Sequence, residues 1–93
     1  MPAVEMALPK NLTVAQAHAL HDEFESVLDK DNTEELIIHA ESVARADTAG
    51  LQLMVAVAQV AKERQIGLTW DKPSEKLVEV ASTLGLNDAL GFH

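Results

Sequence analysis

The chain contains no cysteine and no tyrosine, and its aromatic side chains are one Trp and two Phe. Without cysteine there are no disulfides and no thiolate chemistry, which is compatible with a reducing compartment. So few aromatics leave the core to Leu, Val, Ile and Ala, a composition suited to helices layered on a sheet. They also deny the chain the stacking platforms that hold single-stranded nucleic acid. Positive charge is scarce: 7 Lys and Arg stand against 15 Asp and Glu, for a formal net charge of −8. Such a surface repels phosphate backbones and anionic lipid, which argues against nucleic-acid binding. The longest apolar-rich stretch, Leu51 to Ala61, is interrupted by Gln52 and Gln59 and is too short to enter a membrane as a span. Met1 to Glu5 carries no basic segment and no apolar run of the secretory type, so the expected location is cytoplasmic. No phosphate-cradling glycine loop, no dinucleotide fingerprint and no His paired by motif with Ser occurs, and no cofactor is expected.

What is present fits one domain over residues 1–93, near the small end of chains that fold alone. Val4 to Leu8 has the length of one short strand, stopped by Pro9, with Lys10-Asn11 as a turn. Thr13-Val14-Ala15-Gln16 matches a capping box. Val14, Ala17, Leu20, Phe24, Val27 and Leu28 then recur at helical spacing, with His18, Asp22, Glu25 and Asp29 on the wet side. The polar segment from Asp29 to Thr33 is a loop, and Leu36-Ile37-Ile38-His39-Ala40 is an interior strand with parallel neighbours. A helix follows from Leu51 to Arg64 and is stopped at Gly67, and Leu68-Thr69-Trp70 is a third strand. Pro73 opens the last helix at its first position; Leu77, Val80, Ala81 and Leu84 form its stripe, and Gly85 ends it with positive φ. Alternating strands and helices predict an α/β fold, a small open mixed sheet of three to four strands with helices packed mainly on one face. An exposed edge strand is compatible with a monomer or a weak homodimer.

Arg45-Ala46-Asp47-Thr48-Ala49-Gly50-Leu51 joins the interior strand to the long helix. A strand entering a helix through a tight turn presents free N–H groups and the positive end of the helix dipole, both of which favour negative charge. Thr48 places a hydroxyl there. It has three uses: capping the helix, bonding a partner, or accepting a phosphoryl group. Asp47 orients a donor or is simply the turn's acid, and Gly50 permits close backbone approach or relieves crowding. The acidic residues Asp22, Glu23, Glu25, Asp29, Asp31, Glu34 and Glu35 form either a solvated face or a docking face for a basic partner. His18 and His21 with Asp22 and Glu25 have helical spacing, but helical surfaces produce such sets readily, and no metal site is expected. His39 reads as a strand-face residue, and Trp70 as core or partner contact.

Asp47-Thr48-Ala49-Gly50-Leu51-Gln52-Leu53-Met54, between a buried strand and a Leu-rich helix, resembles the signature of the STAS domain family. Gly67-Leu68-Thr69-Trp70, Pro73-Ser74 and Leu84-Gly85-Leu86 match the family's later strand, helix start and Gly-Leu ending, so the resemblance covers roughly residues 4 to 91. It implies a bacterial, non-enzymatic protein-interaction module similar to anti-sigma-factor antagonists. Asp47, Thr48, Ala49, Gly50, Leu51 and Gln52 would bind the partner, an anti-sigma factor or serine/threonine kinase, and Thr48 would be the phosphorylation site. The chain departs from that branch in two ways. It has room for a single N-terminal strand where members usually have a hairpin, and it carries Thr48-Ala49 where the antagonists usually have a Ser acceptor and a second hydroxyl. These departures resemble the shorter STAS subunits of lipid-transport ABC complexes and the chemotaxis-associated STAS proteins. In those, Thr48 would be a constitutive contact.

Overall fold

The structure is a computed structural model that describes residues 3–29 and 33–92. Residues 30–32 of the expected acidic loop, with Asp31, lie outside the described residues, as do Met1 and Pro2. Three strands, β1 (Ala3–Ala7), β3 (Glu35–His39) and β5 (Gly67–Asp71), form one sheet in the order β1-β3-β5. Both pairings are parallel, as the apolar continuity of Leu36-Ile37-Ile38 in the central strand predicts. Helix α1 (Val14–Leu28) carries the chain from β1 to β3, and α2 (Thr48–Glu63) from β3 to β5. Two short helices, α3 (Glu75–Thr83) and α4 (Asn87–Leu90), close the chain. The expected α/β class, with a small open sheet, is the observed one.

Register makes the sheet two-faced. Val4, Leu36 and Leu68 share one row, and Met6, Ile38 and Trp70 share another. Leu36 and Ile38 are fully buried, among a core that includes Phe24, Leu51, Met54 and Leu77. The alternate rows, Glu5-Ile37-Thr69 and Ala7-His39-Asp71, point the other way, and Glu5 and Thr69 are exposed. The period of two along each strand thus puts the helices against one face and leaves the other open.

A second, two-stranded parallel pairing joins β2 (Asn11–Leu12) to β4 (Arg45–Ala46). Lys10-Asn11, expected as a turn, therefore feeds a strand. The Lys10 carbonyl accepts from the Ala44 and Arg45 N–H groups at 2.8 and 3.1 Å, and the Leu12 carbonyl accepts from the Asp47 N–H at 3.1 Å. This small pairing locks the segment before α1 against the segment before α2.

Several helix ends differ from their expected form. Pro73 precedes α3 rather than opening it. Ser74 is the N-cap, accepting from the Leu77 N–H at 3.1 Å and donating to the Val43 carbonyl at 2.7 Å. Helix α2 is left through Gln65 at φ 59°, and Gly67 begins β5 instead of stopping the helix. Leu84 caps α3 and is exposed rather than part of its stripe, whereas Gly85 follows at φ 70° as expected.

Candidate functional site

Asp47, not Thr48, is the N-cap of α2. Its backbone is extended, and its Oδ1 accepts from the Gly50 N–H at 2.8 Å. Its Oδ2 reaches 33 residues back and accepts from the Val14 N–H at 3.0 Å, in the first turn of α1. One carboxylate thus holds the N-termini of both long helices. The bonds from Gly50 and then Val14 favour the charged form and hold the Asp47 carboxyl below the usual range. The capping box expected at Thr13 does not form. The Thr13 hydroxyl donates to Gln16 Oε1 at 2.7 Å instead, and Thr13 makes no side-chain cap.

Gly50 explains why the two helix starts can lie so close. It is fully buried, and a Cβ there would overlap the Leu12 carbonyl oxygen and lie 2.7 Å from the Leu12 carbonyl carbon. Only a residue without Cβ lets α2 begin against β2.

The six residues expected to bind a partner divide in two. Thr48, Ala49 and Gln52 are exposed, and Asp47 is half-buried. Gly50 and Leu51 are buried, with Leu51 part of the core, so they shape the site from beneath rather than present a surface. Thr48 is the first residue of α2, and among the described residues its hydroxyl takes no part in a hydrogen bond. The capping use of Thr48 is therefore overturned: Asp47 performs it. Val14, expected on the buried stripe of α1, is 68% exposed and lies beside this turn through its bond to Asp47. Sequence reasoning missed it because Val14 stands three residues before Ala17, in step with the stripe.

Other groups of chemical interest lie elsewhere. On the open sheet face His39 sits between two carboxylates, Nε2 2.7 Å from Glu5 Oε1 and Nδ1 2.7 Å from Asp71 Oδ2. Those two bonds, Glu5 first, raise its pKa above the ordinary imidazole value. With both ring nitrogens engaged, His39 is a cross-strand staple, in keeping with a strand-face residue. His21 comes within 3.7 Å of Asp22 and 3.5 Å of Glu25, all three exposed, and His18 is not part of that cluster. Trp70 is half-buried. Its Nε1–H donates to the Leu90 carbonyl at 2.7 Å, and its ring meets Phe92 edge-on at 5.0 Å, which ties β5 to the C-terminal segment. Among the described residues no helix is long and apolar enough to cross a membrane.

Residues 3–91 match the family described as Mlab, STAS domain. Among solved structures, the chain is similar to a sulfate transporter family protein from Wolinella succinogenes. Identity is 19% and the TM-score 0.78, over 96% of this chain and 71% of that one, a likeness of fold. No curated protein matches the chain in sequence. With the Asp-Thr-Ala-Gly turn on a strand-to-helix junction and a family match that runs through nearly every element of the fold, the chain belongs to the STAS domain family.

Proposed function

We propose that the chain is a non-enzymatic, cytoplasmic interaction module of the STAS kind. A partner protein docks on the surface made by Thr48, Ala49, Gln52 and Val14, and phosphorylation of Thr48 weakens that docking. The observation that carries this reading is the free Thr48 hydroxyl. Asp47 caps α2, so a hydroxyl at the first helical position has no structural task and faces outward. A phosphate there would add roughly −1.5 to −2 charge at the contact and act by repulsion and desolvation. The kind of partner is an anti-sigma factor with serine/threonine kinase activity, and the module acts as a bacterial antagonist, as a monomer or weak homodimer.

A second reading has Thr48 as a constitutive contact in a lipid-transport ABC complex or a chemotaxis assembly. Asp47 favours it. An ionised carboxylate already occupies the positive end of the α2 dipole, so a phosphate on the next residue would meet like charge. The family description Mlab, STAS domain points in the same direction. Co-purification of the partner from the native source with wild type, Thr48→Ala and Thr48→Glu, with mass spectrometry of the native protein, tests both. Phosphate on Thr48 with loss of partner only in Thr48→Glu supports the switch. Absence of phosphate with loss in both variants supports the constitutive contact. Full partner retention by both variants refutes the site.

A further inference from the structure

A groove of about 340 Å³ runs between α1 and α2, away from the Thr48 turn. Phe24 and Leu28 of α1 and Leu53, Val57 and Val60 of α2 make its apolar floor. From Leu53 to Arg64, α2 advances roughly 17 Å at ~1.5 Å per residue, about three helical turns. The wall on the α1 side is acidic. His21, Glu25 and Asp29 stand on it, with Asp22 beside His21.

These acids do not serve α1 itself. Asp22, Glu23, Glu25 and the C-cap Asp29 occupy its second half, where the helix dipole disfavours negative charge. Glu25 and Asp29 are four apart, a like-charge spacing that costs helix stability. The helix contains no Lys or Arg to offset them. Two groups of the protein relieve part of this charge. His21 lies near Asp22 and Glu25, and Arg64 of α2 donates to Asp29 Oδ1 at 2.9 Å and to the Leu28 carbonyl at 2.7 Å. Glu25 and Asp22 have no Lys or Arg partner among the described residues.

We propose that this groove receives a cationic amphipathic helix of a partner protein, apolar anchors on the floor and Lys or Arg against the Glu25 wall. A helix about three turns long matches the groove, and anchors at helical spacing are the usual means of filling one. The charge complementarity selects the partner's sign: a cation there relieves the part of the wall, at Glu25 and Asp22, that no Lys or Arg among the described residues pairs. The site rests on the chain being an interaction module and is independent of any role for Thr48.

The test uses the full chain and a synthetic peptide of about 18 residues, long enough to form a helix, with Leu at helical spacing and Lys on the flanks. Amide shifts are followed by NMR during titration. Shifts confined to the groove-facing turns of α1 and α2 are expected. Ala56→Glu changes an exposed residue on the groove's α2 side. It adds negative charge while blocking the floor, so it should weaken binding about tenfold or more. A purely electrostatic attachment would instead be strengthened. A peptide with Glu in place of Lys should not bind, and Thr48→Glu should leave peptide affinity unchanged. No binding, shifts centred elsewhere, undiminished binding by Ala56→Glu, or equal binding of the acidic peptide each overturns the proposal. Failure of the Thr48 reading would appear only in partner co-purification, so the two are separable.

Discussion

Replacing Gly50 by Ala tests how closely the two helix starts are packed. In an ordinary helix the change would stabilise by about 0.8–1 kcal/mol, since Gly is a poor helix former. Here the added methyl meets backbone, the carbonyl of Leu12, which cannot swing aside as a side chain would. Restoring van der Waals distance requires β2 and the start of α2 to separate by about 1 Å. That shift pulls at the Asp47 N–H bond to the Leu12 carbonyl, worth about 1 kcal/mol, and loosens the packing of two fully buried residues, Leu12 and Leu51. Overpacking of this kind costs about 1–3 kcal/mol. Strain and the weakened hydrogen bond together cost about 2–4 kcal/mol; with the propensity gain of about 1 kcal/mol subtracted, the net loss is about 1–3 kcal/mol. For a domain of this size each kcal/mol moves Tm by about 4–8 °C. Thermal unfolding followed by far-UV circular dichroism therefore should show Gly50→Ala melting well below wild type. Gly85→Ala separates clash from backbone strain. Its Cβ enters open space but its φ is 70°, so only the left-handed penalty of about 1–2 kcal/mol applies. If Gly50→Ala melts at or above the wild-type temperature, the close-approach argument is wrong.

Three further outcomes are expected. Asp47→Ala should lower Tm and raise amide exchange at both Gly50 and Val14, whereas Asp47→Asn, which keeps an acceptor, should do so less. Because the Asp47 pKa is depressed, its contribution is present above the unfolded carboxylate range and fades as pH falls through the folded value; the Tm of Asp47→Asn should therefore converge on wild type in acid. His39 works in the opposite direction: its folded pKa is raised, so its contribution is full below an ordinary pKa of about 6.5 and is lost as pH rises through the folded value. His39→Gln should flatten that alkaline fall in Tm, and NMR titration of the ring should place its midpoint above the ordinary imidazole value. Trp70→Phe removes the donor to the Leu90 carbonyl and should cost about 1 kcal/mol by urea unfolding, with faster exchange in α4.

The fold was legible because its information is periodic. Leu36-Ile37-Ile38 announced a central strand, and the spacing in Leu20, Phe24 and Leu28 announced the helix that covers it. The β2–β4 pairing was not legible, since two residues on each side carry no period. The capping of α2 was ambiguous in sequence because Asp and Thr are both good N-caps and stand side by side; the backbone angles that select Asp47 are set by its tie to β2. The capping box at Thr13 fails because the Thr13 hydroxyl and the Gln16 side chain bond each other instead of backbone N–H groups. The first N–H of α1 is claimed by a carboxylate 33 residues downstream, and no local pattern encodes that contact. The turn itself was recognisable by motif. Which of its residues face solvent followed only from three-dimensional packing, which draws Gly50 and Leu51 inward and leaves Thr48, Ala49 and Gln52 outside.

The two hydrogen bonds accepted by the Asp47 carboxylate bear on the proposed docking surface. Val14 and Thr48 belong to different helices, yet the same side chain fixes the distance between their backbones. A surface assembled in this way is rigid before anything touches it, and a partner that docks there does not have to order two independent loops. The entropy that association normally loses in arranging such segments has already been lost during folding. A perturbation confined to the Asp47 side chain would therefore act on the proposed docking twice, by weakening the protein and by letting the two halves of the proposed surface drift apart.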